Sequence, residues 1–423
     1  MRRPSLDAVH GFDRAVYVVA AGQLINVFGA GMVYPFATVH FHFQVGISLA
    51  MVGTGLLARN VATAVATAVG GYWADRHGRK PVMVASMAGN ALTLAAYASV
   101  PAIAAATLLS PGWAFVAVSA AAGLTAGLYA PAGQAYTADL TEGPDRDRAF
   151  SLLKVANNVG FGSGFVVGGV LYEFASVAVF VADGATSAVV ALVLLVAVGR
   201  VHEGRDDAAL RDAVGDWGVA ITKRRVLALA ALNVGFAVLY AQMQTTVPVV
   251  AKDWLGLDAS QLGTLYVLNP LTLVLLQIPV VDAIASWRRT RGLVVSTGFW
   301  AVSMLAVWLV FLLDLPVLAG VALVGAHLVL RTLGEILHSP LVTSLMSDLG
   351  TARERGSQLS LLEVAKRLGF GVGSFVGGLF FDSGLGGLLW PALAVASVGL
   401  AVGLLALERR VTPAENGVEV APG

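Results

Sequence analysis

The sequence predicts an all-α polytopic membrane protein whose twelve transmembrane helices form two pseudo-symmetric six-helix bundles. Three observations carry this reading. The 423 residues are 57% hydrophobic and only 13% charged, about half the charge of an average soluble domain, and the mean hydropathy is +0.77. Apolar stretches of roughly 20 residues, enough to cross a hydrocarbon core of about 30 Å, recur about twelve times. Finally, GFGSGFVVGG at Gly160–Gly169 returns as GFGVGSFVGG at Gly369–Gly378, and the same shift of 209 positions lays Pro131 on Pro340, Asp139 on Asp348 and Arg146 on Arg355.

The runs are continuous rather than alternating and far exceed a barrel strand, so they read as helices. The first, near 14–38, follows a basic start but continues past signal-peptide length without a convincing cleavage context. The second and third, near 48–72 and 82–104, flank the short charged connection at Arg76, Arg79 and Lys80. The fourth, near 112–137, is uncharged from Trp113 to Thr137; the fifth, 149–171, holds the first glycine repeat; the sixth, 177–199, closes a first bundle over 1–199. The polar stretch RVHEGRDDAALRDAVGDWG marks a linker over 200–223. A second bundle over 224–410 holds runs near 224–250, 261–283, 291–312, 316–345, 359–380 and 388–407, and 411–423 is a tail.

Of the 27 Lys and Arg, Lys252 falls outside, and Arg59, Lys154, Arg331, Lys366 and Arg367 fall within helices; the rest cluster on one side. This places both termini in the cytoplasm, with the protein crossing the cell membrane repeatedly. A net charge of +1 gives no bulk attraction to nucleic acid. With no cysteine, there are no disulfides, thiolate metal sites or cysteine nucleophiles. No cofactor is expected. His40 and His42 form a His-x-His pair, but no neighbouring cluster completes a metal site, and an aromatic belt with Phe36, Phe41 and Phe43 is the favoured reading.

The connection GGYWADRHGRKPVM, Gly70 to Met83, places Gly71, Asp75, Gly78, Arg79 and Lys80 at the spacing of a latch. An aspartate so placed can face a positive helix end, and an arginine can pair with a carboxylate. This resembles the loop signature of the major facilitator superfamily, which implies that fold. The resemblance also makes Asp139, at the end of helix four, the partner of Arg79, and the start of helix eleven the partner of Asp75. Asp348 is its duplicate, although the second copy of the loop keeps only Asp282, Arg288, Arg289 and Arg291. Gly160, Gly164, Gly168 and Gly169, echoed by Gly369, Gly373, Gly377 and Gly378, resemble an antiporter signature of that superfamily whose proline is here Phe165 and Ser374. Small residues every four positions also serve close helix packing, so both readings stand. The chain as a whole resembles the twelve-helix drug/proton antiporters, many of which carry an arginine in helix four that is missing here.

Charge inside a membrane faces a cavity or a partner, because at mid-bilayer it costs roughly 2.5–3.5 kcal/mol. Arg331, Glu335 and His338 share one helix face and are the candidate proton-coupling residues, or alternatively a structural ion pair beside a histidine. Lys154 and Glu363 are related by the duplication and read as an inner gate or as snorkelling side chains. Arg59, Tyr34, Asn157, Tyr240, Gln242 and Gln244 are the substrate-cavity candidates, with one of the two glutamines facing inward.

The expected function is alternating-access efflux of small amphiphilic compounds in exchange for protons, as in a multidrug-type antiporter, by a monomer in the lipid bilayer. Uptake, lipid or sugar movement by the same fold, and a sensor without flux, are the alternatives. No nucleotide-binding signature or catalytic constellation points to an enzyme.

Overall fold

The computed structural model describes residue 12 and residues 14–141, 143–199, 222–351 and 354–418. The expected linker over 200–223 lies outside the described residues except for Thr222 and Lys223, and the expected tail is described through residue 418. Among the described residues, twelve long helices carry the fold: α1 (Arg14–Gln44), α2 (Leu49–His77), α3 (Arg79–Ala98), α4 (Pro111–Asp139), α5 (Gly143–Phe174), α6 (Ala178–Ala197), α7 (Arg224–Asp253), α8 (Ala259–Ala283), α9 (Arg289–Leu312), α10 (Val317–Asp348), α11 (Arg355–Asp382) and α12 (Gly386–Glu408). Eleven are long and apolar enough to cross a membrane. The other, α5, has the length at 32 residues but carries Arg146, Arg148, Lys154, Asn157 and Asn158 along its first half. Helix is the only spanning form such runs can take, since lipid offers backbone N–H and C=O groups no partner.

Local sequence sets the breaks. Pro35 interrupts α1, which ends in a π-helical turn over His40–Gln44. Pro248 follows an interruption of α7 at Thr246. Gly78 separates α2 from α3 with φ of +90°, a conformation that only glycine adopts without strain.

The helices group into two compact units. One contains α1, α2 from Val61 onward, α3 to α6 and Ala259–Val267; the other contains Gly46–Asn60, α7, α8 from Leu268 onward and α9 to α12. The opening segments of α2 and α8 are grouped apart from the rest of their helices. Within the first unit α1 packs on α5 and α6, and α3 on α4 and α6. Within the second, α7 packs on α11 and α12, and α9 on α10 and α12. The duplication is therefore a duplication of packing.

The glycine repeats explain the closest of these contacts. A methyl at Gly160 would lie 2.5 Å from the Leu24 carbonyl oxygen, one at Gly164 would strike that of Phe28, and one at Gly168 would lie 2.6 Å from that of Met32. In the second unit Gly369 and Gly373 meet the backbone of Val234 and Val238 in the same way, while a methyl at Gly377 would lie 2.6 Å from the Gln242 side-chain oxygen. Each set lies one turn apart on its helix, so α5 and α11 press their backbones onto α1 and α7. The close-packing reading of these glycines is what the geometry displays.

Candidate functional site

In the second unit, a buried cluster gathers on α10. Arg331 is 4% exposed. Its Nη2 lies 3.5 Å from Glu335 Oε2, one helical turn on. Its guanidinium sits 5.0 Å from the centroid of the Tyr240 ring and 5.4 Å from that of Trp300. Gly334 creates the space: a methyl there would lie 2.6 Å from the Trp300 indole. His338 stacks near Phe236, with centroids 4.1 Å apart, and lies 6.1 Å from Tyr240. Aromatic faces attract a desolvated cation by about 2 kcal/mol each. The guanidinium is thus held by two rings and one carboxylate, while its Nε and Nη1 make no hydrogen bond with the protein. Arg331, Glu335 and His338 share α10, and Tyr240 of α7, read from the sequence as a separate cavity residue, lies against Arg331. Trp300 and Phe236 are the additions, because a buried aromatic in an apolar helix has no local mark of function.

Gln242 sits differently from the expectation. It is fully buried, and its Nε2 donates to Val238 O at 2.9 Å and Gly373 O at 3.0 Å, while Thr246 donates to its Oε1 at 2.9 Å. Its amide is committed to tying α7 to α11, so the structure corrects it from cavity residue to packing residue. Gln244, 8% exposed, is also buried. In the same unit Glu363 pairs with Arg367 at 3.0 Å and Lys366 at 4.0 Å, both on its own helix. Its duplicate Lys154 is an exposed residue of the other unit. Arg59 stands near the end of the separately grouped opening of α2.

In the first unit, Asn157 accepts a hydrogen bond from Gln23 Nε2 at 3.2 Å, joining α5 to α1. Tyr34 packs edge-on to Phe161 with centroids 5.2 Å apart. His40 is 4% exposed and lies against Phe41 and Phe180, in an aromatic core rather than an interfacial belt. The sequence reading passed over Asp183, a carboxylate 4% exposed in α6. Thr186 donates to it at 3.4 Å, and Gly29 of α1 leaves it room. A lone acid in so apolar a helix is itself a signal.

Each unit holds an arginine–aspartate pair, and Asp75, expected to face a helix end, lies against Arg79. Arg79 Nε lies 2.6 Å from Asp139 Oδ2 as an ion pair, its N–H off the hydrogen-bond line, and Nη1 lies 3.3 Å from Asp75. Lys80 caps the end of α6, donating to Leu195 O at 2.7 Å and Val198 O at 2.6 Å. A methyl at Gly71 would meet nothing within 4 Å. In the second unit Arg289 Nη1 lies 2.5 Å from Asp348 Oδ2 and donates to Glu415 O at 2.8 Å. The worn second loop therefore retains the ion pair even though it has lost the glycines. Beside it, Lys223 donates to Glu354 at 2.6 Å. That bond, followed by those from the Thr351 amide and hydroxyl, holds the Glu354 carboxyl down to about 2.

Comparisons with known proteins agree with this geometry. A model of the Major Facilitator Superfamily matches residues 19–350. An uncharacterized MFS-type transporter of Bacillus subtilis, YttB, is 25% identical over 412 residues, covering 95% of this chain and 97% of its own. The multidrug resistance protein MdtH of Klebsiella pneumoniae is 25% identical over 408 residues, covering 94% of each. Among solved structures, the nucleoside transporter NupG superposes with a TM-score of 0.74 at 14% identity, covering 94% of this chain and 100% of its own. A D-xylose-proton symporter superposes at 0.73 and 15% identity, covering 96% and 99%. A duplicated six-helix packing, a paired arginine–aspartate latch and a family match over most of the length converge: this chain belongs to the Major Facilitator Superfamily.

Proposed function

We propose that this transporter exports small amphiphilic compounds by alternating access in exchange for protons. The observation that carries the reading is the Arg331–Glu335 pair, a cation 4% exposed facing a carboxylate whose side chain is 26% exposed. A proton arriving on Glu335 cancels the attraction across 3.5 Å and leaves Arg331 to the Tyr240 and Trp300 rings. The pair is then a two-state element that a proton biases, as coupled transport requires. Aromatic walls with few fixed charges suit an amphiphile, whose apolar body they cover. The multidrug resistance names of relatives such as MdtH support the same substrate class. The sided distribution of Lys and Arg supports both termini lying in the cytoplasm.

The test is flux in proteoliposomes under an imposed pH gradient, using a fluorescent amphiphile. Accumulation is expected to follow the size and direction of the gradient. A flux indifferent to the gradient removes proton exchange and leaves facilitated or differently coupled transport.

A further inference from the structure

A pocket of about 270 Å³ opens in the second unit where α10 ends and α11 begins, lined by Arg289, Thr343, Ser344, Ser347, Asp348 and Arg355. A site for a drug-sized molecule spans roughly 300–1,000 Å³, so this one suits a head group rather than a whole amphiphile. The 32 residues of α10 extend about 48 Å at 1.5 Å per residue, which exceeds a hydrocarbon core of about 30 Å and carries the last turns to the level of lipid head groups. The sided distribution of Lys and Arg supports placing that end at the cytoplasmic leaflet, the one rich in anionic lipid.

Charge in the pocket is unbalanced. Arg289 and Asp348 cancel, with Nη1 2.5 Å from Oδ2. The exposed Arg355 guanidinium makes no ion pair or hydrogen bond with a described residue. Arg355 also opens α11, and no side chain caps that first turn, so the positive end of a long helix adds to its charge. The hydroxyls have the opposite polarity. Thr343 donates to Ser339 O at 2.9 Å and Ser347 to Thr343 O at 2.8 Å. Their hydrogens are committed to α10, and their lone pairs remain to accept. The lining thus offers a cation for a phosphoryl group beside acceptors for a hydroxyl or amine.

The first unit shows what the second has changed. The shift of 209 positions lays Arg146 on Arg355, and Gln134, Ala135 and Ala138 on Thr343, Ser344 and Ser347. Arg146 is committed to the end of α4, its Nε donating to Thr141 O at 3.2 Å and its Nη2 to Ala138 O at 3.0 Å. Arg355 makes no such bond, and three hydroxyls stand where the first copy has an amide and two methyls. A helix cap in one copy is an open cation beside acceptors in the other. We propose that this pocket binds the phosphodiester head group of a membrane lipid such as phosphatidylglycerol: Arg355 holds the phosphoryl oxygens, while Thr343, Ser347 and Asp348 accept from a head-group hydroxyl or amine. The site depends neither on protons nor on the transported compound.

The test is calorimetric titration of the purified transporter with short-chain phosphatidylglycerol, for which saturable binding is expected. Arg355→Gln should weaken it about fivefold, the worth of one basic side chain at an anionic surface, and Ser347→Ala about threefold, the worth of one hydrogen bond. Arg409→Gln removes an exposed cation from the end of α12 and should leave binding unchanged. Equal weakening by Arg355→Gln and Arg409→Gln overturns the proposal and leaves a diffuse basic surface. Short-chain phosphatidylcholine, whose trimethylated head group has no N–H or O–H to donate, should bind less tightly; equal affinity overturns the acceptor assignment. Inorganic phosphate separates the two sources of a phosphoryl group. It should bind more weakly than the lipid, and equal affinity overturns the lipid assignment in favour of a free-phosphate site. Should Arg355→Gln fail to fold, Ser347→Ala and the comparison of head groups still decide.

Discussion

Glu335→Gln separates charge from shape at the proposed coupling site. Two unit charges 3.5 Å apart attract by about 5 kcal/mol at an effective dielectric constant of about 20. A quarter of the Glu335 side chain meets solvent, and desolvating Arg331 offsets part of the gain, so the net worth of the pair is about 1–2 kcal/mol. The two rings retain Arg331 when the carboxylate is neutralised. The variant is therefore expected to fold, with its thermal midpoint lowered by about 2–4 °C. Transport should divide. Gradient-driven accumulation of a fluorescent amphiphile in proteoliposomes is expected to fall to background, while downhill exchange without a gradient continues. Glu335→Asp, which keeps a titratable group, should restore part of the driven flux. Wild-type driven accumulation by Glu335→Gln would refute the coupling role, whatever its effect on stability.

The two latches predict a double-mutant cycle: Arg79→Ala with Asp139→Ala, and Arg289→Ala with Asp348→Ala, should each show a coupling of about 1 kcal/mol in thermal unfolding. Additive losses would mean that these pairs are geometric neighbours without energetic consequence. Gly164→Ala should cost about 1–3 kcal/mol because its methyl meets the backbone of α1. Gly71→Ala, with nothing within 4 Å, should be neutral or stabilising by up to about 1 kcal/mol; the opposite order would contradict the packing assigned to the repeat. The Glu354 carboxyl is lowered in the fold from an ordinary 4.5 to about 2, so the contribution of its contact with Lys223 is complete above about pH 4.5 and is lost as pH falls toward 2. Glu354→Gln should flatten the thermal midpoint over that range, and an unchanged slope would exclude the contact as its source.

Several parts of the site were legible because they depend on spacing within one helix. Arg331, Glu335 and His338 recur at intervals of three and four, so any helix through them puts them on one face. Gly160, Gly164 and Gly168 do the same for close approach. The partners were not legible. Nothing near Gln242 in the chain signals that Gly373 will accept its hydrogen bond, 131 positions away, and nothing near Trp300 signals that Gly334 will admit its ring. Glu363 was paired with Lys154 by symmetry, yet Arg367 and Lys366 lie within reach on its own helix.

Sequence alone determined that this protein spans a membrane repeatedly and that its second half repeats its first. It also located the residues of both latches. These are properties of summed hydropathy, charge placement and periodicity, which need no knowledge of what faces what. Tertiary structure decided the rest: which glutamine is packing, which rings hold Arg331, and that the worn second latch still pairs. Each depends on the rotation and depth at which two distant helices meet, and that is settled by steric fit between whole surfaces rather than by any local run of residues.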